Sequence, residues 1–243
     1  MTMSRDLNTE YQDTEKRLYA YDFDYIHRDY MLKALAPHLR TGNVLEMGCY
    51  HGEFTKKLQP FFDDITVIEG SSDLIEIARK NVGDGVRFIL SYFEDADPGR
   101  LFDNIFLVHT LEHLNDPQTV LKKVRQWLTP GGRLFVIVPN ANAASRQIAV
   151  GMGLIDYNAA VTAGEHAHGH RATYSLDTLE HEAVQAGFQV AHRGGILFKP
   201  LANFQFDAAM RGGIIDQAFF DGCYKLGMKY PDLTASVFVV CEA

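Results

Sequence analysis

The sequence predicts an α/β fold built on a parallel sheet that is covered on both faces. Three observations carry this reading. Short apolar runs recur at Val44–Met47, Ile65–Ile68, Val86–Leu90, Phe102–His109 and Arg133–Val138, and near-continuous apolar runs mark strands with no wet face. Helical stripes stand between them, such as Leu74, Ile75 and Ala78, or Val120, Leu121, Val124 and Leu128. The first run ends in an acid and a glycine-punctuated turn, Glu46-Met47-Gly48-Cys49-Tyr50-His51-Gly52.

That turn organises the chain. Gly48 allows a backbone conformation closed to other residues. Gly52 removes a side chain where the next helix, starting near Glu53, must pass close to a ligand or strand. The free amides of such a helix start suit an anionic group. The second run ends in another acid, Glu69, followed by Gly70 and Ser71. An acid there is placed to hydrogen-bond a ribose diol.

The remaining elements follow in order. A helical pattern runs from Tyr21–Tyr25 to about Leu39, capped by Asp22 or Asp24, with Tyr30, Leu32, Leu35 and Leu39 as core. Tyr11 and Tyr19 are the anchors of a polar, frayed leader. Ser71 or Ser72 caps the helix after the second strand, and Asp116-Pro117 opens the one after the fourth. Beyond Pro139 a short helix is expected over residues 144–152, then a long loop over 153–173 bearing glycines and histidines. Ser175 caps a further helix that Gly187 ends. Strands are expected over 188–198 and 234–241, with helical stretches between them. The chain thus reads as one domain: a helical cap over 1–40, a core over 41–198, and a helical insertion with the last strand over 199–243.

Composition excludes several functions. The 243 residues carry a net charge of −8 without a Lys/Arg run, which disfavours nucleic acid. The three cysteines, Cys49, Cys223 and Cys241, form no disulfide framework or Cys-x-x-Cys pair. No signal-like or membrane-spanning apolar run is present, so a cytoplasmic protein is expected.

The acid, the glycine turn and Glu69 together resemble motifs I and II of the class I S-adenosylmethionine-dependent methyltransferases, with Tyr50 in place of the middle glycine. Phe102–His109, Leu111-Glu112-His113-Leu114 with Asp116-Pro117, and Leu128-Thr129-Pro130-Gly131-Gly132 extend the resemblance, which covers roughly 40–195. Its nearest look is to a bacterial branch related to ubiquinone and sugar methyltransferases. The resemblance implies a Rossmann-like three-layer sandwich with a mostly parallel seven-stranded sheet and a C-terminal antiparallel strand. It implies S-adenosylmethionine as cofactor, held by Glu46, Gly48, Cys49, Gly52, Glu69, Gly70 and Ser71. Phe93 and Glu94 would flank the adenine, and His109, Thr110 and Leu111 would lie beside the sulfonium.

Methyl transfer to oxygen or nitrogen needs a base only if the acceptor must lose a proton. His170 and His113 are the candidates, with His168, Arg171 and Tyr174 on the acceptor side. Each histidine has an ordinary structural reading as a hydrogen-bonded residue. Alternating His166, His168 and His170 could set imidazoles on one face of an extended segment, but no carboxylate cluster completes a site and no metal is expected. Glu165 and Arg171 would bind a polar substrate or each other. The expected partner is a small-molecule acceptor. A nicotinamide oxidoreductase and a cofactor-binding regulator without turnover are the competing classes, and the former lacks Gly-x-Gly-x-x-Gly spacing. A methylase of DNA or protein amines would need an Asn/Asp-Pro-Pro-Tyr motif where His109-Thr110-Leu111-Glu112 stands.

Overall fold

The structure is a computed structural model that describes residues 6–9 and 21–243. Tyr11 and Tyr19 lie outside the described residues. Seven strands form one sheet in the order β3-β2-β1-β4-β5-β7-β6. They are β1 (Val44–Met47), β2 (Ile65–Glu69), β3 (Val86–Leu90), β4 (Phe102–Val108), β5 (Leu128–Pro139), β6 (Gln189–Phe198) and β7 (Thr234–Glu242). The pairs from β3 across to β5 are parallel, and β7 runs antiparallel to both β5 and β6. This is the Rossmann-like, mostly parallel sheet that the sequence predicts.

Side-chain alternation explains why both faces are covered. On β5, Phe135 and Ile137 join one core while Leu134, Val136 and Val138 join the other. On β7, Phe238 and Val240 face the first core, and Val237, Val239 and Cys241 the second. The first core takes residues from α1 (Asp22–Leu35), α2 (Glu53–Leu58) and α3 (Ser72–Val82). The second is closed by α4 (Pro117–Gln126) and, beyond α5 (Ala144–Gly151) and α6 (Ala163–Ala167), by α7 (Leu176–Gln185). In the first core, Phe106 stacks on Phe135 with ring centroids 4.5 Å apart. Rings buried in this way contribute roughly 1.5–3 kcal/mol each.

Several boundaries differ from the sequence reading for local reasons. The first helix stops at Leu35, because Pro37 leads a 3-10 turn over Ala36–His38 instead of continuing the ladder. Tyr30 and Leu35 are buried as expected, while Leu32 and Leu39 are only half-buried. β5 starts five residues before Arg133, since Leu128 pairs with Phe102 before a register shift. The 153–173 segment is not all loop, for Thr162 and Glu165 cap α6 reciprocally.

α1 is held from far along the chain. Asp24 accepts from the Tyr21 amide at 2.9 Å, but Asp22 makes no cap. The main cap is Asp207 on α8 (Asn203–Arg211), which accepts from the Asp22 and Phe23 amides at 3.1 and 3.0 Å. Phe23 also stacks on Phe206 at 4.6 Å. α9 (Gln217–Gly227) completes this layer, with Asp221 accepting from the Tyr30 hydroxyl at 2.9 Å. Asp207→Ala should therefore destabilise the protein by about 1–2 kcal/mol, as loss of a helix cap does. Urea unfolding checks it, and an unchanged midpoint would show that α1 does not depend on this carboxylate.

Candidate active site

The strand order turns back on itself at β1, with β2 on one side and β4 on the other. Ligands of such sheets sit at the carboxyl ends of the strands, beside that switch. A cavity of about 720 Å³ opens there, within the range of small-molecule sites. Its wall includes Glu46, Gly48, Cys49, Tyr50 and Glu69 after the first two strands. Val108, His109 and Thr110 follow β4, Pro139 ends β5, and Ser236 starts the antiparallel β7 at the same edge.

Glu69 fixes the floor. One carboxylate oxygen accepts from the Cys49 amide at 3.1 Å and the other from the Ser71 amide at 3.0 Å. Burial raises its pKa and these amides oppose the rise. Glu46 lies deeper and accepts from the Thr55 hydroxyl at 2.6 Å. Burial, with the neighbouring Glu69, pushes it up to about 8. Gly48 has φ +79°, and a Cβ there would meet Thr110 Oγ1 at 3.0 Å. Tyr50 takes φ +50°, so a tyrosine occupies the left-handed geometry that a glycine usually supplies.

The β4 exit builds the middle of the site. His109 also has φ +50°, a conformation rare outside glycine, and its Nε2 lies 2.8 Å from Ser236 Oγ. Burial drives its pKa well below the usual value, so it is a neutral imidazole. The Thr110 hydroxyl donates to the Met47 carbonyl at 2.9 Å. The following 3-10 turn, Leu111–His113, carries Glu112, whose carbonyl accepts from the Arg171 amide at 2.7 Å. That bond docks the histidine segment on the cavity. The His113 and His170 rings then meet edge to face at 4.7 Å.

Glu112 was absent from the sequence-level site. Ligand atoms of Glu112, His113 and His170 lie within 4.8 Å of one another, a geometry able to hold a divalent cation. Both carboxylate oxygens of Glu112 are buried without a hydrogen-bond partner, and burial pushes it up to about 8. One carboxylate thus stands beside His113 and His170, a grouping other than the alternating His166, His168 and His170. The alternating histidines do not lie on an extended segment, because His166 is within α6 and His168 caps it. Glu165 does not pair with Arg171 either. It takes Arg146 Nη1 at 2.5 Å; burial raises its pKa, but Arg146 and Thr162 together lower it.

Residues 16–193 match the methyltransferase domain family. The chain belongs to the class I S-adenosylmethionine-dependent methyltransferases. It is 32% identical over 130 residues to the ubiquinone biosynthesis O-methyltransferase of Xylella fastidiosa. That match spans 51% of this chain and about half, 52%, of the relative. A possible histamine N-methyltransferase from Thermotoga maritima superposes with a TM-score of 0.64 at 19% identity, covering 96% of this chain and 99% of that one. The N-methyltransferase NodS from Bradyrhizobium japonicum, in complex with S-adenosyl-L-homocysteine, gives 0.58 at 17%, covering 96% and 97%.

S-Adenosylmethionine is the methyltransferase's cofactor, and the cleft suits it: Gly48 leaves room that a Cβ would fill, beside the buried Glu69 carboxylate. Not every expected residue borders the cavity. Gly52 serves packing instead, since a Cβ there would come within 2.9 Å of Val82 on α3. Gly70 clears space for Leu7, and Ser71 caps α3 by accepting from the Leu74 amide at 3.2 Å. Leu111 turns into the second core, as does Tyr174, which is 5% exposed and bridges Asn140. The Tyr174 ring therefore does not wall the pocket. Phe93 packs at the edge of that core, and exposed Glu94 offers its carbonyl to Lys123. His168 and Arg171 do line the cavity.

The site also includes residues that motif reading passed over. Leu7 lines the cavity, and Asn8 bonds Ser71 Oγ at 2.6 Å and Ser72 Oγ at 3.0 Å, so residues 6–9 dock there. Their polar composition gave no signal of this. His27, Arg28 and Lys199 line the cavity as well.

Glu69→Ala should weaken S-adenosylhomocysteine binding by about 1.5–3 kcal/mol, the range for losing charge-assisted bonds. Calorimetry on the folded variant checks it, and unchanged affinity would remove Glu69 from the cofactor site. Glu112 gives a stability prediction. Its folded pKa, about 8, is above the ordinary carboxylate value. The unfolded chain therefore sheds this proton first, and stability falls as pH rises from about 5 to 8. Glu112→Gln should match the wild type near pH 5 and be more stable near pH 8.5, by an amount on the order of 4 kcal/mol. Parallel urea-denaturation curves at the two pH values would refute this.

Proposed function

We propose that the protein transfers the methyl group of S-adenosylmethionine to an oxygen or nitrogen of a small polar molecule. The observation that carries this reading is one cavity bounded by both the glycine turn and the histidine segment, from Gly48 and Glu69 to His166–Arg171. When bound, the cofactor supplies a methyl group already activated on a sulfonium. The chain's own residues then have three tasks.

The first is holding. Glu69 keeps the Cys49 and Ser71 turns together and offers its remaining lone pairs to a diol. Gly48, Cys49 and Tyr50 set the floor against which the cofactor rests. The second is exclusion of water and alignment of the acceptor, by His168, His170 and Arg171 over the strand ends. The third is proton removal. His170 faces the cavity beside His113, and burial lowers its pKa, so it is unprotonated at neutral pH. A neutral imidazole can accept the proton of a hydroxyl or amine.

His170→Ala should lower turnover at least ~10-fold while cofactor affinity stays within about twofold, as expected for losing a base or positioning bond. A labelled-methyl assay beside calorimetry on the same protein separates the two. Undiminished turnover would transfer the proton-accepting role to His113, or show that no base is needed.

A further inference from the structure

One wall of the cavity is formed by α1 and the residues just after β6. Two cations line it, Arg28 on α1 and Lys199 after Phe198. Among the described residues neither has a carboxylate within ion-pair distance. Arg28 Nη1 is buried without a hydrogen-bond partner, and the guanidinium otherwise lies over the Tyr25 ring at 5.5 Å. Lys199 Nζ stands over the Phe23 ring at 5.3 Å. The nearby acid is already engaged by neutral donors: Asp24 accepts from the Tyr21 amide and from Asn203 Nδ2 at 3.0 Å.

Leaving a buried guanidinium donor unmatched is costly unless a ligand completes it. The local charge also fails to cancel. Three cations, Arg28, Lys199 and Arg146, act here against two acids, Asp24 and Glu165. Burial lowers Lys199 only to about 8, so it remains mostly charged at neutral pH.

A second orphan narrows the ligand further. His27 is 2% exposed, with the Ile196 backbone beside its ring. Burial, helped by Lys199 and Arg28, lowers it to about 3, so it is neutral with Nε2 as an acceptor. That Nε2 has no partner. It calls for a donor on the same ligand, such as a hydroxyl or amino group. The His27 ring lies 6.1 Å from His109, at the β4 exit.

We propose that Arg28 and Lys199 form a carboxylate subsite, and that the methyl acceptor is a small hydroxy- or amino-carboxylic acid whose O–H or N–H bonds to His27 Nε2. This rests on the methyltransferase reading for the word acceptor, but the subsite stands on its own geometry. Phe23, stacked on Phe206 beneath Lys199, gives the acid's carbon skeleton an aromatic wall.

The test is calorimetric titration of 3-hydroxybenzoate, 3-aminobenzoate and lactate, each against its uncharged amide, with and without saturating S-adenosylhomocysteine. At least one acid should bind saturably and at least ~10-fold more tightly than its amide, the span of one charge-assisted bond. Arg28→Gln and Lys199→Met should each erase most of that preference while leaving amide binding unchanged and thermal stability no lower than the wild type's. Two independent variants guard against one misfolding. If no acid binds, or every acid binds like its amide, the subsite is wrong. Failure of S-adenosylhomocysteine to bind would instead overturn the cofactor placement, while the acid titrations without it still decide the subsite.

Discussion

The structure depends on the placement of one buried carboxylate. Glu69 ends β2 in a position with almost no solvent, where an ionised acid is stable only if donors surround it. It finds them in two backbone amides from separate turns, Cys49 after β1 and Ser71 after β2. The acid therefore ties two βα connections together at the switch point of the sheet. With that tie in place, other local costs become tolerable. Tyr50 and His109 keep left-handed backbone angles on either side of it, and α2 packs against α3 through the gap left by Gly52.

The cavity is electrically quieter than its residue list suggests. Six histidines and several acids border it, yet burial moves many of them toward their neutral forms. Glu46 and Glu112 both rise to about 8, while His27 falls to about 3 and His109 falls well below its usual value. This matters for a positively charged methyl donor, which imidazolium would repel and imidazole does not. Cations and acids still meet on its α1 side, where Arg28 and Lys199 stand near Asp24 and Glu165.

Assembly of the α1 side of the cavity requires contacts across most of the chain. Asp207 caps α1 at a separation of 184 residues from Phe23, and Lys199 arrives from the end of β6. The histidine segment is likewise positioned by a remote bond, from the Arg171 amide to the Glu112 carbonyl. These attachments hold both segments against the same cavity.

The sequence by itself determined the strand and helix order, the glycine turn and Glu69, because those features are written in local patterns. Apolar runs of strand length, capping residues such as Asp116 and Ser175, and an acid followed by glycines act within a few residues of themselves. Only the tertiary structure decided which side chains share the cavity. Tyr174 and Leu111 were near it in sequence but were drawn into the core, since burying their apolar surface outweighs exposing it. Glu112 joined His170 from 58 residues away, and His27, Arg28 and Lys199 converged from opposite ends of the chain. No periodicity encodes such meetings. They follow from how α1 and the histidine segment dock on the sheet, which is set by the sum of packing and buried hydrogen bonds rather than by any stretch of sequence.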